Sequence, residues 1–116
     1  GHFYAYAPIK IEYAIDRYAM EVKRQLHVLD LHLAEDEYMA GDEYTIADMA
    51  IFPWTRPHAN QGIDLAEYPN VRRWFDAIAA RPAVQRALQV LADRRKPQMT
   101  DRDKETLFGK AQYERR

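Results

Sequence analysis

The chain has 116 residues, with 17 Lys and Arg against 18 Asp and Glu and a formal net charge of −1. That is one domain's worth of chain, long enough to bury a core, and its charge balance offers no general field for a nucleic-acid backbone. It has no cysteine, which excludes disulfides, thiolate metal sites and cysteine nucleophiles within these residues. Gly1 and His2 read as a cloning remnant, so fold reasoning starts at Phe3. Ile11, Ile15, Tyr18, Val22, Leu26, Leu29 and Leu33 step by 4, 3, 4, 4, 3 and 4. This apolar stripe predicts a helix over 9–34, with Pro8 suited to its first turn and Tyr18 in the core. Arg17 and Glu21 stand four apart on its flank, the spacing of an exposed ion pair. Acidic residues 35–37 then lead into a compact turn over 38–44, anchored by Tyr38 and Met39 and signalled by Gly41-Asp42.

Thr45-Ile46-Ala47-Asp48 has the form of a capping box, and Tyr44 with Met49 has the spacing of a hydrophobic staple. The helix that follows, Ile46 to about Trp54, is apolar nearly all round and is expected to be buried, with Pro53 bending or ending it. Residues 56–67 read as a loop from which Ile63 and Leu65 tuck inward. Val71, Trp74, Phe75 and Ile78 mark a third helix with Pro69 near its start. Val84, Ala87, Leu88 and Leu91 repeat the spacing in a fourth that starts at Pro82. Arg94-Arg95-Lys96-Pro97 breaks the pattern, and Thr100 to Asp103 can cap a last short helix that Gly109 stops. No strand alternation, internal repeat or low-complexity stretch occurs, so the fold class is all-α. No apolar run approaches the roughly 18 residues of a membrane span. With no secretory pattern at the start, a reducing cytoplasm is the expected setting.

Tyr38-Met39-Ala40-Gly41-Asp42-Glu43-Tyr44-Thr45-Ile46-Ala47-Asp48 resembles the C-terminal domain of the glutathione transferases, where this capping box opens the central helix. Tyr68 to Phe75, followed by Ala80-Arg81-Pro82-Ala83-Val84, is similar to the next two family helices in order and spacing. Tyr13 to Tyr18, with the pair Pro53-Trp54, is most similar to the bacterial nu-class, disulfide-bond reductase-like branch. The resemblance covers roughly residues 5–92 and implies an orthogonal helical bundle. It sets the domain reading: 1–2 remnant, 3–93 helical domain, 94–116 basic tail with a short helix. Family enzymes carry, ahead of this domain, a thioredoxin-like domain that holds glutathione and activates its thiol. These residues contain none of it, and Phe3-Tyr4-Ala5-Tyr6 resembles only the end of the helical domain's first helix or the bend that follows it. The resemblance therefore carries over no catalytic residue and no cofactor, glutathione entering only if a thioredoxin-like domain is supplied.

Asp48 attracts notice as a carboxylate, but the orphan N–H groups of a helix start make Thr45 and Asp48 a structural cap. The nu-class resemblance implies that Phe3, Tyr4, Tyr6, Tyr13 and Arg17 face a second-substrate site; separately, Trp54 and His58 flank the kinked end of the central helix, a region able to line a ligand cleft. Tyrosine offers an apolar body with a polar tip, and Arg17 a partner for a carboxylate. The competing reading packs the tyrosines in the core or at an interface, makes Trp54 a core aromatic and His58 a loop residue, and pairs Arg17 with Glu21. His27 and His32 are five apart, not the four that converge on a metal; no metal site, Gly-rich nucleotide loop or serine triad is expected, the chain having no serine. Loss of the thioredoxin-like domain should bare an apolar face, so a homodimer or a protein partner is expected there. Two functions follow: a stand-alone helical module that binds a partner or a small apolar ligand, or part of a transferase or disulfide reductase that supplies the electrophile-binding wall.

Overall fold

The computed structural model describes residues 1–94 and 98–114, apart from the side chains of Ala111 and Tyr113. Its order is a π-helical turn His2–Tyr6, α1 Glu12–Glu35, α2 Ile46–Thr55, 3-10 turns Arg56–Gln61 and Leu65–Glu67, and α3 Pro69–Ala79. There follow α4 Pro82–Gln89, a 3-10 turn Ala92–Arg94, α5 Asp101–Phe108 and α6 Ala111–Glu114. Among the described residues no strand forms, only an isolated bridge between Tyr38 and Gly41, so the fold is all-helical. The chain divides into two compact units, Gly1–Gln85 and Arg86–Arg116.

In the first unit α1 packs on α3. Leu26 and Leu33 of α1, Phe52 of α2, Ile63 and Leu65 of the connection, and Val71, Trp74 and Ile78 of α3 are buried together. Two polar clasps join α1 to α3. From α1, Asp30 accepts the Asn70 and Val71 N–H groups at 2.8 and 3.0 Å, satisfying donors in the first turn of α3. In return, Arg73 of α3 donates to the Leu33, Asp36 and Glu37 carbonyls at 2.9, 3.2 and 3.1 Å, satisfying acceptors at the end of α1. Neither clasp is local in sequence, and neither is visible as a motif.

The helix predicted over 9–34 begins later, at Glu12, and ends at Glu35. Pro8 lies before it and not in its first turn. The residue ahead of a proline is disfavoured in the α region, and Ala7 is extended at φ −61°, ψ 133°; Ile11 is extended as well. The connection 56–67 is not a plain loop but two 3-10 turns, and Ile63 and Leu65 are buried as expected. The fourth helix stops at Gln89. Leu91, expected on its stripe, has a positive φ of 54° and is exposed.

A larger correction concerns α2. Its inner side is buried through Asp48, Phe52 and Thr55, but Ile46 and Trp54 are each 82% exposed and Met49 is exposed too. Helix packing covers one side of it, so uniform apolarity did not mean burial all round. Tyr18 is likewise not core: it is 57% exposed and stacks on Phe3 with ring centroids 5.3 Å apart.

In the second unit the expected last helix forms as α5, with the Thr100–Asp103 capping box made and Gly109 at its end. Of the basic tail residues, Arg94 closes a 3-10 turn; Arg95, Lys96, Arg115 and Arg116 lie outside the described residues. No described helix is long and apolar enough to cross a membrane.

Candidate functional site

The inner side of α1 from Ile15 to Leu29 builds a groove with the π-turn, α2 and the 3-10 turn after α2. Two conditions position it. Gly62 ends that 3-10 turn in the left-handed region at φ 71°, where glycine carries no steric penalty. A Cβ on Gly62 would also lie 2.8 Å from the Tyr4 phenol oxygen, so Tyr4 can close over this point only because the side chain is absent. Lys10 then donates to the Tyr4 carbonyl. In α2, Pro53 sits inside the helix and brings no N–H; the helix gives way to 3-10 geometry after Thr55.

Two cavities lie along this groove. The first, about 330 Å³, is walled by Ile15, Tyr18 and Val22 of α1, by Phe3 and Tyr4 of the π-turn, and also by Gly1 and His2, the two residues read as a remnant. The second, about 390 Å³, is walled by Leu26 and Leu29 of α1, Ile51, Trp54 and Thr55 of α2, and His58. Val22 and Gln61 line both, so the cavities adjoin. Each is at the small end of the roughly 300–1,000 Å³ of ligand pockets. No Asp, Glu, Lys or Arg side chain lines either cavity among the described residues.

The polar groups of the second cavity are already oriented by the protein. The Thr55 hydroxyl donates to the Ile51 carbonyl at 3.3 Å. His58 Nδ1 lies 3.0 Å from the Ile63 carbonyl. A carbonyl only accepts, so Nδ1 carries a proton in this arrangement. The same ring stands edge-on to Phe75 at 5.8 Å. Gln25 donates its amide N–H to Glu21 at 2.9 Å.

Of the seven residues expected at a ligand site, Phe3 and Tyr4 line the first cavity, and Trp54 and His58 line the second. Trp54 is not the core aromatic of the competing reading. Tyr6, Tyr13 and Arg17 are in neither lining; Tyr13 is 81% exposed. Arg17 approaches Glu21 at 4.0 Å, but Arg24 is the nearer partner at 2.7 Å. Sequence reasoning missed Val22, Gln25, Ile51, Thr55 and Gln61. The stripe spacing placed Val22 on the inner side of α1, yet nothing local marks which stretch of that side stays open.

Thr45 and Asp48 form the expected cap, and the carboxylate does more than cap. Asp48 is fully buried. It accepts from the Thr45 N–H at 2.8 Å and the Thr45 hydroxyl at 3.3 Å. The Met39 N–H reaches it at 3.0 Å and the Trp74 indole N–H at 2.8 Å. The Thr45 hydroxyl in turn accepts from the Ala47 N–H at 3.2 Å. Burial pushes the Asp48 carboxyl up, but the Met39, Thr45 and Trp74 hydrogen bonds outweigh it and hold it below the usual value of 3.8. With both oxygens engaged it is a structural hub. The Tyr44 ring next to it meets Tyr38 edge-on and lies under the Arg81 guanidinium, 3.8 Å away. No cluster of three potential metal ligands occurs among the described residues.

An all-helical unit with a capping box at the start of its second helix and an uncovered groove beside it defines the class of the molecule. Residues 3–82 match the glutathione S-transferase C-terminal domain. The chain belongs to that family. It is 53% identical to the disulfide-bond oxidoreductase YghU of Escherichia coli (strain K12), over 74% of this chain and 32% of that protein. It is 45% identical to the disulfide-bond oxidoreductase YfcG of the same organism, over 75% of this chain and 40% of that protein. It is 36% identical to glutathione S-transferase 3 of Zea mays, over 66% and 36% respectively. The chain thus spans about a third of the length of these relatives.

Proposed function

We propose that this chain is a helical ligand-binding module of a glutathione transferase-like protein, its groove taking a small apolar or aromatic molecule. The observation that carries this is the pair of adjoining cavities along α1, with mainly apolar walls and, among the described residues, no Asp, Glu, Lys or Arg side chain in their lining. The names of the two bacterial relatives add thiol–disulfide chemistry as the reaction such a groove would serve. That reaction needs a thiolate to attack a sulfur and displace another. These 116 residues hold no cysteine, so a thiol such as glutathione would have to bring it, and the chain would supply the wall that holds the other reactant. A reducing cytoplasm suits a cysteine-free module of this kind.

Titration calorimetry on the purified chain tests this, with 8-anilinonaphthalene-1-sulfonate, glutathione and glutathione disulfide as ligands. The reading expects saturable binding of the aromatic probe and little or none of the two peptides. Val22→Trp, which fills the junction of the two cavities, should weaken the probe at least about tenfold, roughly the ~1.4 kcal/mol of a lost apolar contact area. No saturable probe binding, or binding unchanged in that variant, overturns it. Saturable glutathione binding with turnover would make the chain catalytic by itself.

A second reading rests on a different observation, the exposed outer side of α2 with Ile46 and Met49. Apolar surface of this kind is commonly covered by protein, which supports a homodimer or a partner. Sedimentation across a concentration series tests it: self-association or partner capture that Ile46→Asp abolishes supports it. A chain that stays monomeric and unpartnered throughout counts against it.

A further inference from the structure

We infer that the outer side of α2 is the docking face for the basic C-terminal unit, residues 86–116, of a second copy of this chain. This rests on the outer side of α2 being covered by protein. Ile46, Met49, Ala50 and Pro53 stand at i, i+3, i+4 and i+7, so they share one stripe of the helix, and all four are exposed. None of them carries a charge. The distribution of charge along the chain points to the occupant. Residues 1–85 hold 8 Lys and Arg against 13 Asp and Glu, and residues 86–116 hold 9 against 5. The overall net charge of −1 thus hides an acidic unit of −5 and a basic unit of +4. Part of the acidic excess lies at the start of α2. The Tyr38 N–H donates to the Gly41 carbonyl at 2.8 Å. This tight turn has Glu35 and Glu37 on its entering arm and Asp42 and Glu43 on its leaving arm, all four exposed. Glu43 is three residues from Ile46, so the apolar stripe begins beside carboxylates.

The C-terminal unit has the matching makeup. Its helix α5 completes a capping box yet buries no residue, and none of the described residues of 86–116 is buried. Eight residues are too few for a helix to stand in water without packing. At its end Leu107 and Phe108 are exposed. Lys104 stands three and four residues before them, on the same side of the helix, and Lys110 follows two residues after. Lys104 also approaches Asp101 at 3.6 Å, an exposed pair that holds it weakly. On the α2 stripe this apolar spot meets apolar surface, and its lysines meet the carboxylates at the helix start, a pairing of opposite potentials that fixes orientation as well as attraction. Each copy holds both the face and the occupant. Two copies can therefore exchange their C-terminal units, which closes the pair through two identical contacts and leaves no open end.

Charge exchange between copies tests this by sedimentation velocity on the full chain. The parent should form a dimer at about 0.05 M salt, and its dissociation constant should rise at least about tenfold at about 0.5 M, where screening shortens the reach of charge. Asp42→Lys with Glu43→Lys, and separately Lys104→Glu with Lys110→Glu, should each weaken the dimer at least about tenfold while circular dichroism shows the parent's helix content. Mixed in equal amounts, the two variants should associate again at near the parent's strength, because every face then meets a C-terminal unit of opposite sign. Should either variant lose helix content, the salt series on the parent decides. A mixture that stays apart overturns the inference. If Ile46→Asp abolishes association while salt and charge exchange leave it unaltered, the face is an interface with another occupant, and this inference falls while the reading it rests on stands. A parent chain that stays monomeric throughout also overturns it, and leaves that reading only a different partner.

Discussion

The two halves of α1 carry the same apolar stripe and meet different fates. In the C-terminal half Leu26 and Leu33 are buried, Asp30 caps α3 and Arg73 of α3 closes the helix end. In the N-terminal half Ile11 and Tyr18 are exposed, and Ile15 and Val22 are only half-buried above cavities. The spacing of apolar residues tells which side of a helix avoids water. How deep that side lies depends on what arrives opposite it, and here the clasps to α3 are made at Asp30 and Leu33, in the C-terminal half. Stability is thus concentrated at one end of the helix and open surface at the other.

The largest expected effect lies in the satisfied end. Asp48→Asn keeps the shape but turns an amide N–H₂ toward groups that are all donors: Thr45 N–H, Met39 N–H and the Trp74 indole. Leaving one or two buried donors without an acceptor should cost about 3–5 kcal/mol in urea unfolding. The acid side carries a second signature. The folded-state pKa of Asp48 is lowered below its ordinary 3.8, so its contribution is present above the unfolded value and is lost as pH falls through the folded one. The parent chain should therefore lose stability with a steeper slope below about pH 4 than Asp48→Asn does. Parallel slopes would remove Asp48 from the role of hub.

Next in size is the direct contrast along α1. Leu33→Ala, at a side chain 2% exposed, should cost about 2–5 kcal/mol. Tyr18→Ala, at the open half, gives up its stacking on Phe3 and should cost about 1 kcal/mol or less. Equal losses at the two sites would break the comparison. Asp30→Ala falls between them: it strips the Asn70 and Val71 N–H groups of their acceptor and should cost about 1–2 kcal/mol. Urea midpoints of the three variants, measured together, give the ranking.

Local chemistry made much of this legible in advance. The Thr45–Asp48 box, the Thr100–Asp103 box and the stripe Val71, Trp74, Ile78 each depend on residues within one or two turns, and all appear as read. What depended on distant chain was not legible. Asp30 and Arg73 clasp across some forty positions, and neither residue is unusual where it stands. The outer side of α2 was misread for the same reason: an apolar composition permits burial, but the packing partner decides it. The groove fared in between. Phe3 drew attention through the family resemblance and Trp54 and His58 through the kinked end of α2, whereas Thr55 and Gln61 take their importance from the turn at Pro53 and Gly62 that brings them to α1.

The smallest expected effect sits where the two halves meet. Glu21 accepts two N–H bonds from Arg24 at 2.9 and 2.7 Å and one from Gln25 at 2.9 Å. The Arg24 hydrogen bonds, and after them that of Gln25, lower its carboxyl from 4.5 to about 2. The group is exposed, so salt and water screen what the pairing contributes. Arg24→Ala should accordingly raise the Glu21 pKa toward its ordinary value, seen as a shifted carboxyl titration by NMR, while the urea midpoint at neutral pH hardly moves. Because the carboxyl is lowered in the fold, whatever stability it adds is present above pH 4.5 and fades as the pH approaches 2. A large stability loss in Arg24→Ala at neutral pH would mean that the open half of α1 is held by its surface charges. The division of the helix into a packed end and an uncovered one would then have to be redrawn around Glu21.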